Sequence, residues 1–163
     1  MTPRFMAAAT AIVVLATAST CLAGRLRTAK MPTGSMKPTI AMNARVQIDG
    51  NYYKTHPVQR FDIVVVEDPC KKGVEYVKRV VGIGPESIEL RDGRVLIDGR
   101  EIEEPFAQIR ADKNFGPFTI PANEYFLLGD NRANSFDSRY WKIKSVAADM
   151  IHGKVILKDS DRK

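Results

Sequence analysis

Two Asp-Gly pairs in the segment ESIELRDGRVLIDGREI, residues 86–102, constrain the fold more than any other feature of this sequence. The pairs occupy positions 92–93 and 98–99, and each lies between short runs of alternating apolar and polar residues. Alternation with a period of two is typical of a β-strand, and Asp-Gly readily adopts the positive φ angles of a tight hairpin turn. The segment therefore predicts a β-meander.

Most of the chain after residue 40 also predicts strands. Apolar segments, most of them rich in β-branched residues, recur at 44–48, 62–67, 75–83, 124–130 and 153–158. No segment of this region has a persuasive helical period, and 144–151 is expected to make one short turn. With 163 residues the chain is long enough for one domain with a core. The predicted fold class is mainly β, a barrel- or sandwich-like antiparallel core with one N-terminal transmembrane helix.

That N-terminal helix is predicted from FMAAATAIVVLATASTCLAG, residues 5–24, which carry no charge over 20 residues. A helix of this length spans about 30 Å, the hydrocarbon thickness of a bilayer. A retained anchor and a cleaved signal peptide both fit. The run exceeds the apolar region of about 7–15 residues usual in signal peptides, which favours an anchor. We expect residues 1–24 to form a membrane anchor and residues 25–163 a β-rich domain.

Positive charge is concentrated directly after the apolar segment. Residues 25–60 contain seven Lys or Arg residues and one acidic residue, and the whole chain has a net charge of +6. Because this basic stretch follows an apolar run, anionic lipid head groups are a simpler partner than nucleic acid. We therefore expect contact with membrane lipids and no nucleic-acid partner.

Neither a metal nor a cofactor is expected. The two cysteines, Cys21 and Cys70, lie in segments of very different character, so no disulfide between them is predicted. The sequence has no Cys/His cluster with metal-ligand spacing and no glycine-rich phosphate loop.

The stretch MPTGSMKPTI, residues 31–40, places Ser35 on a turn stiffened by prolines on both sides. One interpretation is a surface loop, and another is a presented nucleophile. A serine hydroxyl needs a neighbouring base to react at neutral pH. The two histidines, His56 and His152, lie in settings that do not suggest a catalytic triad.

Lys78 is the alternative base, because it interrupts the apolar strand segment YVKRVVG. Strand alternation places Lys78 and Arg79 on opposite faces, so one of them is expected to face the interior. A buried lysine loses its proton far more readily than an arginine, and a neutral amine near Ser35 would act as general base. The other interpretation is an edge-strand pair that points to solvent.

The polar segment GDNRANSFDSRYW, residues 129–141, follows the apolar run YFLL. Asp137 and Arg139 are candidates for an ion pair. The segment also fits a surface loop that caps its own backbone with Asx and Ser turns.

Four sequence blocks together resemble the type I signal peptidases, membrane-bound serine proteases with a Ser-Lys dyad. The blocks are TGSMKPT (33–39), RFDIVVV (60–66), YVKRVVGI (76–83) and GDNRANSFDSRYW (129–141), in that order after the apolar segment. The resemblance implies removal of signal peptides from exported preproteins after small residues, in sites of the Ala-x-Ala type. It also implies a single-pass membrane protein whose catalytic domain lies on the non-cytoplasmic side, in a bacterium the periplasmic side of the inner membrane.

The resemblance further assigns roles by position. It implies Ser35 as nucleophile and Lys78 as general base, Thr33 as an oxyanion donor and Ser135 as the residue that orients the lysine. It places the substrate strand between residues 30–33 and 75–78. The implied substrate-pocket residues are Met31, Met36, Tyr76 and Val77, and the implied structural residues are Arg79, Asp130, Asp137 and Arg139. The chain departs from the family pattern at Ala133, where an acidic residue is common, and at Lys142, where glycine is usual.

Two other functions remain open from the sequence. One is a dedicated processing peptidase of the same clan, of the conjugative pilin or mitochondrial inner-membrane type. The other is a membrane-anchored β-domain that binds lipid or protein without catalysis.

Overall fold

Eleven β-strands dominate the computed structural model, which describes residues 26–107 and 113–157. The strands are β1 (Leu26–Lys30), β2 (Arg45–Asp49), β3 (Ile63–Asp68), β4 (Lys71–Ile83), β5 (Ser87–Arg91), β6 (Arg94–Ile97), β7 (Arg100–Glu101), β8 (Phe115–Thr119), β9 (Glu124–Leu128), β10 (Val146–Ala147) and β11 (Ile151–Ile156). Short 3₁₀ turns occur at Tyr52–Lys54, Arg132–Asn134 and Ala148–Met150.

The strands form two antiparallel sheets. The larger has seven strands in the order β1-β2-β11-β3-β4-β9-β10, and the smaller has four in the order β7-β6-β5-β8. The prediction of a mainly β, antiparallel fold is confirmed. In the larger sheet β4 pairs with β3 through both Lys78 and Arg79, whereas its pairing with β9 begins only at Arg79.

The predicted meander is β5, β6 and β7 of the smaller sheet. Asp92 and Gly93 have φ angles of 51° and 74°, and Asp98 and Gly99 have 49° and 77°. These positive angles are those that make Asp-Gly a signal for a tight hairpin turn. The sequence does not predict strands β1 and β8, because LRTAK lacks an alternating apolar pattern and FGPFT contains a glycine and a proline.

Three clusters of buried apolar side chains stabilise these sheets. Strand β3 lies between two of them: Val65 belongs to the cluster beneath residues 31–40, and Val64 to the cluster that contains Trp141. Both faces of β3 are therefore covered, which explains its continuous apolar sequence. The remaining cluster joins the smaller sheet to β4 and β9 through Val81, Phe126 and Leu128, among others.

The predicted membrane anchor, residues 5–24, lies outside the described residues. Within 26–107 and 113–157, none of the helical segments has the length and apolar character needed to cross a bilayer. The short turn expected at 144–151 is confirmed as the 3₁₀ turn Ala148–Met150, flanked by the small strand β10.

Candidate active site

Ser35 and Lys78 meet beside the larger sheet although 43 residues separate them in the sequence. The amine Nζ of Lys78 donates a hydrogen bond to Ser35 Oγ at 3.0 Å. Both residues are buried, with 6% and 3% of their surface exposed. A hydroxyl and an amine at this distance in a desolvated setting form a possible nucleophile–base pair.

Residues on both sides of Ser35 are fixed to the core. The Met31 amide donates to Ala44 O at 2.9 Å, and the Ile40 amide donates to Met36 O at 2.9 Å. The side chains of Met31, Met36 and Ile40 are buried in one apolar cluster. The serine is thus held by buried side chains as well as by the neighbouring prolines, so residues 31–40 form a turn segment that is anchored in the core, with Ser35 buried.

Burial changes the acid–base properties of Lys78. Desolvation lowers the pKa of its ammonium from 10.5 to about 8, an effect reduced by the carboxylates of Asp137 and Asp130 and increased by Arg139. Burial favours the neutral amine because a charge is poorly solvated in the protein interior. The lowered pKa brings the neutral, proton-accepting form of Lys78 closer to physiological pH than in a free lysine.

One residue of the Lys78–Arg79 pair was expected to face the interior, and the structure buries Arg79 as well as Lys78. Its guanidinium forms two hydrogen bonds to Asp130, at 2.8 Å to Oδ1 and 2.6 Å to Oδ2. It also donates to Phe61 O at 2.8 Å and lies 3.8 Å above the Phe106 ring. At Lys78 and Arg79 both faces of β4 are covered. Ser35 accepts a hydrogen bond from Lys78 on one face, and the Asp130 carboxylate pairs with Arg79 on the other.

The segment 129–141 is a buried structural element rather than a solvated loop. Asp130 and Asp137 are completely buried. Asp137 Oδ1 accepts a hydrogen bond of 2.8 Å from Arg139 Nε, and Asp137 Oδ2 accepts one of 3.1 Å from the Gly129 amide. The predicted Asp137–Arg139 pair is present, and its carboxylate holds the start of the segment in place.

Asn131 and Gly129 fasten this segment to Ser35. The Asn131 amide donates to Ser35 O at 3.0 Å, and its side-chain Nδ2 donates to Gly34 O at 3.1 Å. A Cβ at Gly129 would lie 2.6 Å from Ser35 O and 2.2 Å from Ser135 Oγ. Only glycine allows so close an approach, because contacts under 3.0 Å are essentially never made by a real Cβ.

Thr33 and Ser135, the two hydroxyl residues with implied supporting roles, differ in their contacts. Thr33 Oγ1 donates to Ser35 Oγ at 3.2 Å. The Ser135 hydroxyl is buried and has no hydrogen-bond partner among the described residues. Thr33 is therefore within reach of the reacting oxygen, whereas the contact between Ser135 and the lysine stays a prediction.

The implied pocket residues divide into two kinds. Met31 and Met36 are 4% and 0% exposed and belong to the core. Val77 is half-buried and packs against that same cluster, and Tyr76 is half-buried and stacks on Trp141 with ring centroids 5.7 Å apart. Val77 and Tyr76 pack against different apolar clusters on opposite faces of β4, so only Val77 lies over the buried methionines.

Sequence reasoning missed a buried ion pair between Glu104 and Arg132. Arg132 Nη1 and Nη2 donate to the two Glu104 oxygens at 2.9 and 2.5 Å, and Arg132 Nε donates to Gly129 O at 3.0 Å. Glu104 lies in an irregular stretch outside all four sequence blocks, so only the three-dimensional contact identifies it. Through Arg132 it supports the segment that holds Ser35.

The contacts of the two histidines are with residues other than Ser35 and Lys78. His56 is exposed and stacks on Tyr52, and its Nδ1 lies 2.9 Å from Thr55 Oγ1. His152 is exposed and lies 2.9 Å from Glu75 Oε1 and 3.7 Å from Glu67 Oε2. These contacts agree with the expectation that neither histidine forms a triad with Ser35.

A cavity of about 300 Å³ opens away from the dyad. It is lined by Phe61, Asp62, Ile63, Arg79, Lys154, Val155, Ile156 and Leu157. Its lining includes Arg79 and Phe61, whose carbonyl accepts a hydrogen bond from Arg79, and neither Ser35 nor Lys78.

Comparison with known proteins assigns the chain to a family. A family model described as "Signal peptidase, peptidase S26" matches residues 3–158, nearly the whole chain. The chain therefore belongs to the signal peptidase family of serine peptidases, peptidase S26.

Individual relatives agree with this assignment. The chain is 36% identical to signal peptidase I of Leptolyngbya laminosa over 119 residues, covering 68% of this chain and 58% of the relative. It is 33% identical to signal peptidase I S of Bacillus subtilis over 116 residues, covering 64% of this chain and 61% of the relative. The chain thus spans about three fifths of the length of these curated relatives.

A solved structure of a signal peptidase I from Enterococcus faecalis V583 has the same fold. The two superpose with a TM-score of 0.54 at 29% sequence identity, and the match covers 63% of this chain and 98% of that chain.

Proposed function

We propose that this chain is a membrane-bound serine endopeptidase that removes N-terminal signal peptides from exported preproteins. The observation that carries the proposal is the 3.0 Å contact between Ser35 Oγ and the Nζ of the buried Lys78. Membership of the peptidase S26 family gives the reaction class. The dedicated processing peptidase remains the alternative, because both enzymes would use the same dyad.

The proposed reaction begins with neutral Lys78. Its Nζ accepts the Ser35 proton as Oγ attacks the scissile carbonyl carbon, which gives a tetrahedral oxyanion. The backbone N–H of Ser35 and the Thr33 hydroxyl donate hydrogen bonds to that oxyanion. Lys78 then gives the proton to the leaving amine, and the C–N bond breaks to leave an acyl-enzyme. A water molecule, deprotonated by Lys78, attacks the ester carbon; the C–Oγ bond then breaks to release the carboxylic acid product, and the proton on Lys78 returns to Ser35 Oγ.

In this proposal Ser135 orients the lysine and the buried pairs keep the site rigid. The Ser135 hydroxyl is desolvated beside Gly129 and lacks a partner among the described residues, so it is available to bond Lys78 Nζ once the lysine has released Ser35. The Arg79–Asp130 and Asp137–Arg139 pairs serve as structural supports on either side.

The proposed substrate binds as an extended strand between residues 30–33 and 75–78. Backbone hydrogen bonds would give affinity, and alternate side chains would enter pockets on one face. The buried methionines beneath Val77 limit the depth of these pockets. We therefore expect small residues, such as Ala, one and three positions before the cut.

A cleavage assay on preproteins tests the function directly. The full chain in detergent or lipid is expected to cleave a model preprotein after an Ala-x-Ala sequence, and Ser35→Ala is expected to abolish this cleavage. A panel of unrelated preproteins separates a general enzyme from a dedicated one. Intact preprotein after incubation with wild-type enzyme, or equal cleavage when Leu or Phe replaces both alanines, contradicts the proposal.

We further propose that residues 5–24 are retained as a single-pass anchor, with residues 25–163 on the non-cytoplasmic side. The uncharged run of 20 residues and the basic stretch that follows it support an anchor beside anionic lipid. Protein extracted from membranes should give an N-terminal sequence that starts before residue 24. Recovery of only a soluble form that starts near Gly24 or Arg25 would rule the anchor out.

A further inference from the structure

Two strands of the larger sheet each have one edge without a strand partner among the described residues. β1 is the terminal strand of the sheet and pairs only with β2. β4 pairs with β3 from Lys71 onward, whereas its pairing with β9 begins only at Arg79, so the other edge of residues 71–78 is free of strands. A free strand edge offers N–H and C=O groups to which a further strand can be added.

An ion pair joins these two edges. Arg27 Nη2 of β1 donates to both carboxylate oxygens of Glu75 of β4, at 2.9 Å to Oε1 and 2.8 Å to Oε2. Glu75 Oε1 also lies 2.9 Å from His152 Nδ1, so a second residue holds the carboxylate. Burial raises the pKa of Glu75, but the hydrogen bonds with His152 and Arg27 outweigh burial and leave that pKa below its usual value. Glu75 is thus charged at neutral pH, and the Arg27–Glu75 pair is called here the clasp.

The clasp shows at which level the two edges meet. Each step of the sheet from β1 through β2, β11 and β3 to β4 is antiparallel, so β1 and β4 run in the same direction. Ala29 and Val77, two residues beyond the clasp on each strand, pack against the same apolar cluster, so the edges stay side by side toward the dyad. Three residues separate Glu75 from Lys78, which places the clasp about 10 Å along β4 from the dyad lysine.

The gap between the free edges coincides with the proposed place of the substrate strand, between residues 30–33 and 75–78. One added strand needs about 9–10 Å between the two flanking backbones, twice the usual spacing of neighbouring strands. An arginine and a glutamate side chain are together long enough to cross such a gap. Residues two apart share a face of a strand, so the clasp crosses on the face that carries Ala29 and Val77 and leaves the edges free for backbone pairing.

We propose that the clasp holds the two free edges one strand apart, with Arg27 and Glu75 as positioning residues for the bound substrate. This inference rests on the proposed function. Without the clasp the edges would have to be ordered at each binding event, and the cost of that ordering would weaken binding. Because the clasp lies three residues from the dyad lysine, the chemical step of bound substrate should be unaffected.

The test is equilibrium binding to the full chain carrying Ser35→Ala, which prevents turnover. A labelled peptide spans an Ala-x-Ala cleavage site, and fluorescence anisotropy in detergent gives its Kd. We expect Arg27→Gln and Glu75→Gln each to raise Kd about fivefold, the upper range for a partly exposed ion pair. The exchanged pair Arg27→Glu/Glu75→Arg restores the opposite charges and should return Kd to within about twofold of the parent protein.

Two further measurements separate positioning from a merely structural role. With intact Ser35, both single variants should raise KM for the preprotein and leave kcat within about twofold of wild type. The urea unfolding midpoint should stay near that of wild type, because the side chains of the pair are 43% and 35% exposed. A matched control is Arg94→Gln, which breaks an exposed Arg–carboxylate pair of the smaller sheet and should alter neither Kd nor KM.

Unchanged Kd in both single variants, or a loss of binding that the exchanged pair does not restore, overturns the clasp. A loss confined to one variant would mean that this residue binds the peptide directly, and a lower unfolding midpoint with weaker binding would make the pair structural; both results also overturn the clasp. Weaker binding that the exchanged pair restores, without any cleavage when Ser35 is intact, keeps the clasp and rejects the peptidase. Cleavage with binding unaffected by either single variant keeps the peptidase and rejects the clasp.

Discussion

Replacing Lys78 with arginine is expected to lower kcat/KM for preprotein cleavage by about 10²- to 10⁴-fold, the usual contribution of a general base. Arginine keeps the positive charge and much of the side-chain length, but it does not deprotonate in proteins. The Ser35 hydroxyl would then retain its proton and attack slowly. Kinetics on a purified preprotein, with folding of the variant checked by circular dichroism, give the measurement.

The histidines provide the control for this variant. The double variant His56→Ala/His152→Ala should cleave within a few-fold of wild type, because His56 contacts Thr55 and Tyr52 and His152 lies against glutamates. An inactive histidine variant, or normal turnover by Lys78→Arg, would show that the base has been assigned to the wrong residue.

The pH dependence follows from the same lysine. Since burial lowers the pKa of Lys78 to about 8, kcat/KM should fall as pH drops through about 8. The same fall in kcat/KM on the acidic side should persist in the double histidine variant. The unfolded chain, in which the lysine has its ordinary pKa of 10.5, binds more protons between pH 8 and 10.5. The contribution of Lys78 to the free energy of unfolding therefore rises with pH over this window.

The sequence predicted the local features of this fold well because they depend on neighbouring residues. The turns at 92–93 and 98–99 need only Asp-Gly chemistry, and their φ angles agree. The meeting of Ser35 and Lys78 was implied by family resemblance and not by any local pattern. Alternation alone could not show that both Lys78 and Arg79 are buried, because it does not reveal what covers each face of a strand.

The features that the sequence does not predict, among them the Glu104–Arg132 pair and strand β1, depend on contacts between segments that are distant in the chain. Glu104 has no sequence feature that distinguishes it from other surface glutamates, yet it forms a buried pair with Arg132. Strand β1 has five residues with a mostly exposed pattern, and it exists because β2 supplies its hydrogen bonds. In both cases the determining partner lies elsewhere in the chain.

The largest loss of stability is expected from Asp130→Asn. Asp130 is completely buried and accepts two hydrogen bonds from the Arg79 guanidinium and one from Thr39 Oγ1. Asparagine has nearly the same shape but no charge, so Arg79 would remain buried with an uncompensated positive charge. Breaking a buried pair in this way costs about 3–5 kcal/mol of unfolding free energy, a large share of the roughly 5–15 kcal/mol typical of a domain.

The measurement is urea unfolding of the full chain in detergent, followed by the fluorescence of Trp141, the single tryptophan, which is 2% exposed. The matched control is Glu101→Gln, which removes the carboxylate of an Arg–carboxylate pair whose side chains are 60% and 50% exposed. Water already solvates both charges of that pair, so its loss should leave the unfolding midpoint close to that of wild type. Equal midpoints for Asp130→Asn and Glu101→Gln would mean that Arg79 is not held by Asp130 as described, since the two pairs differ in burial and in the number of hydrogen bonds.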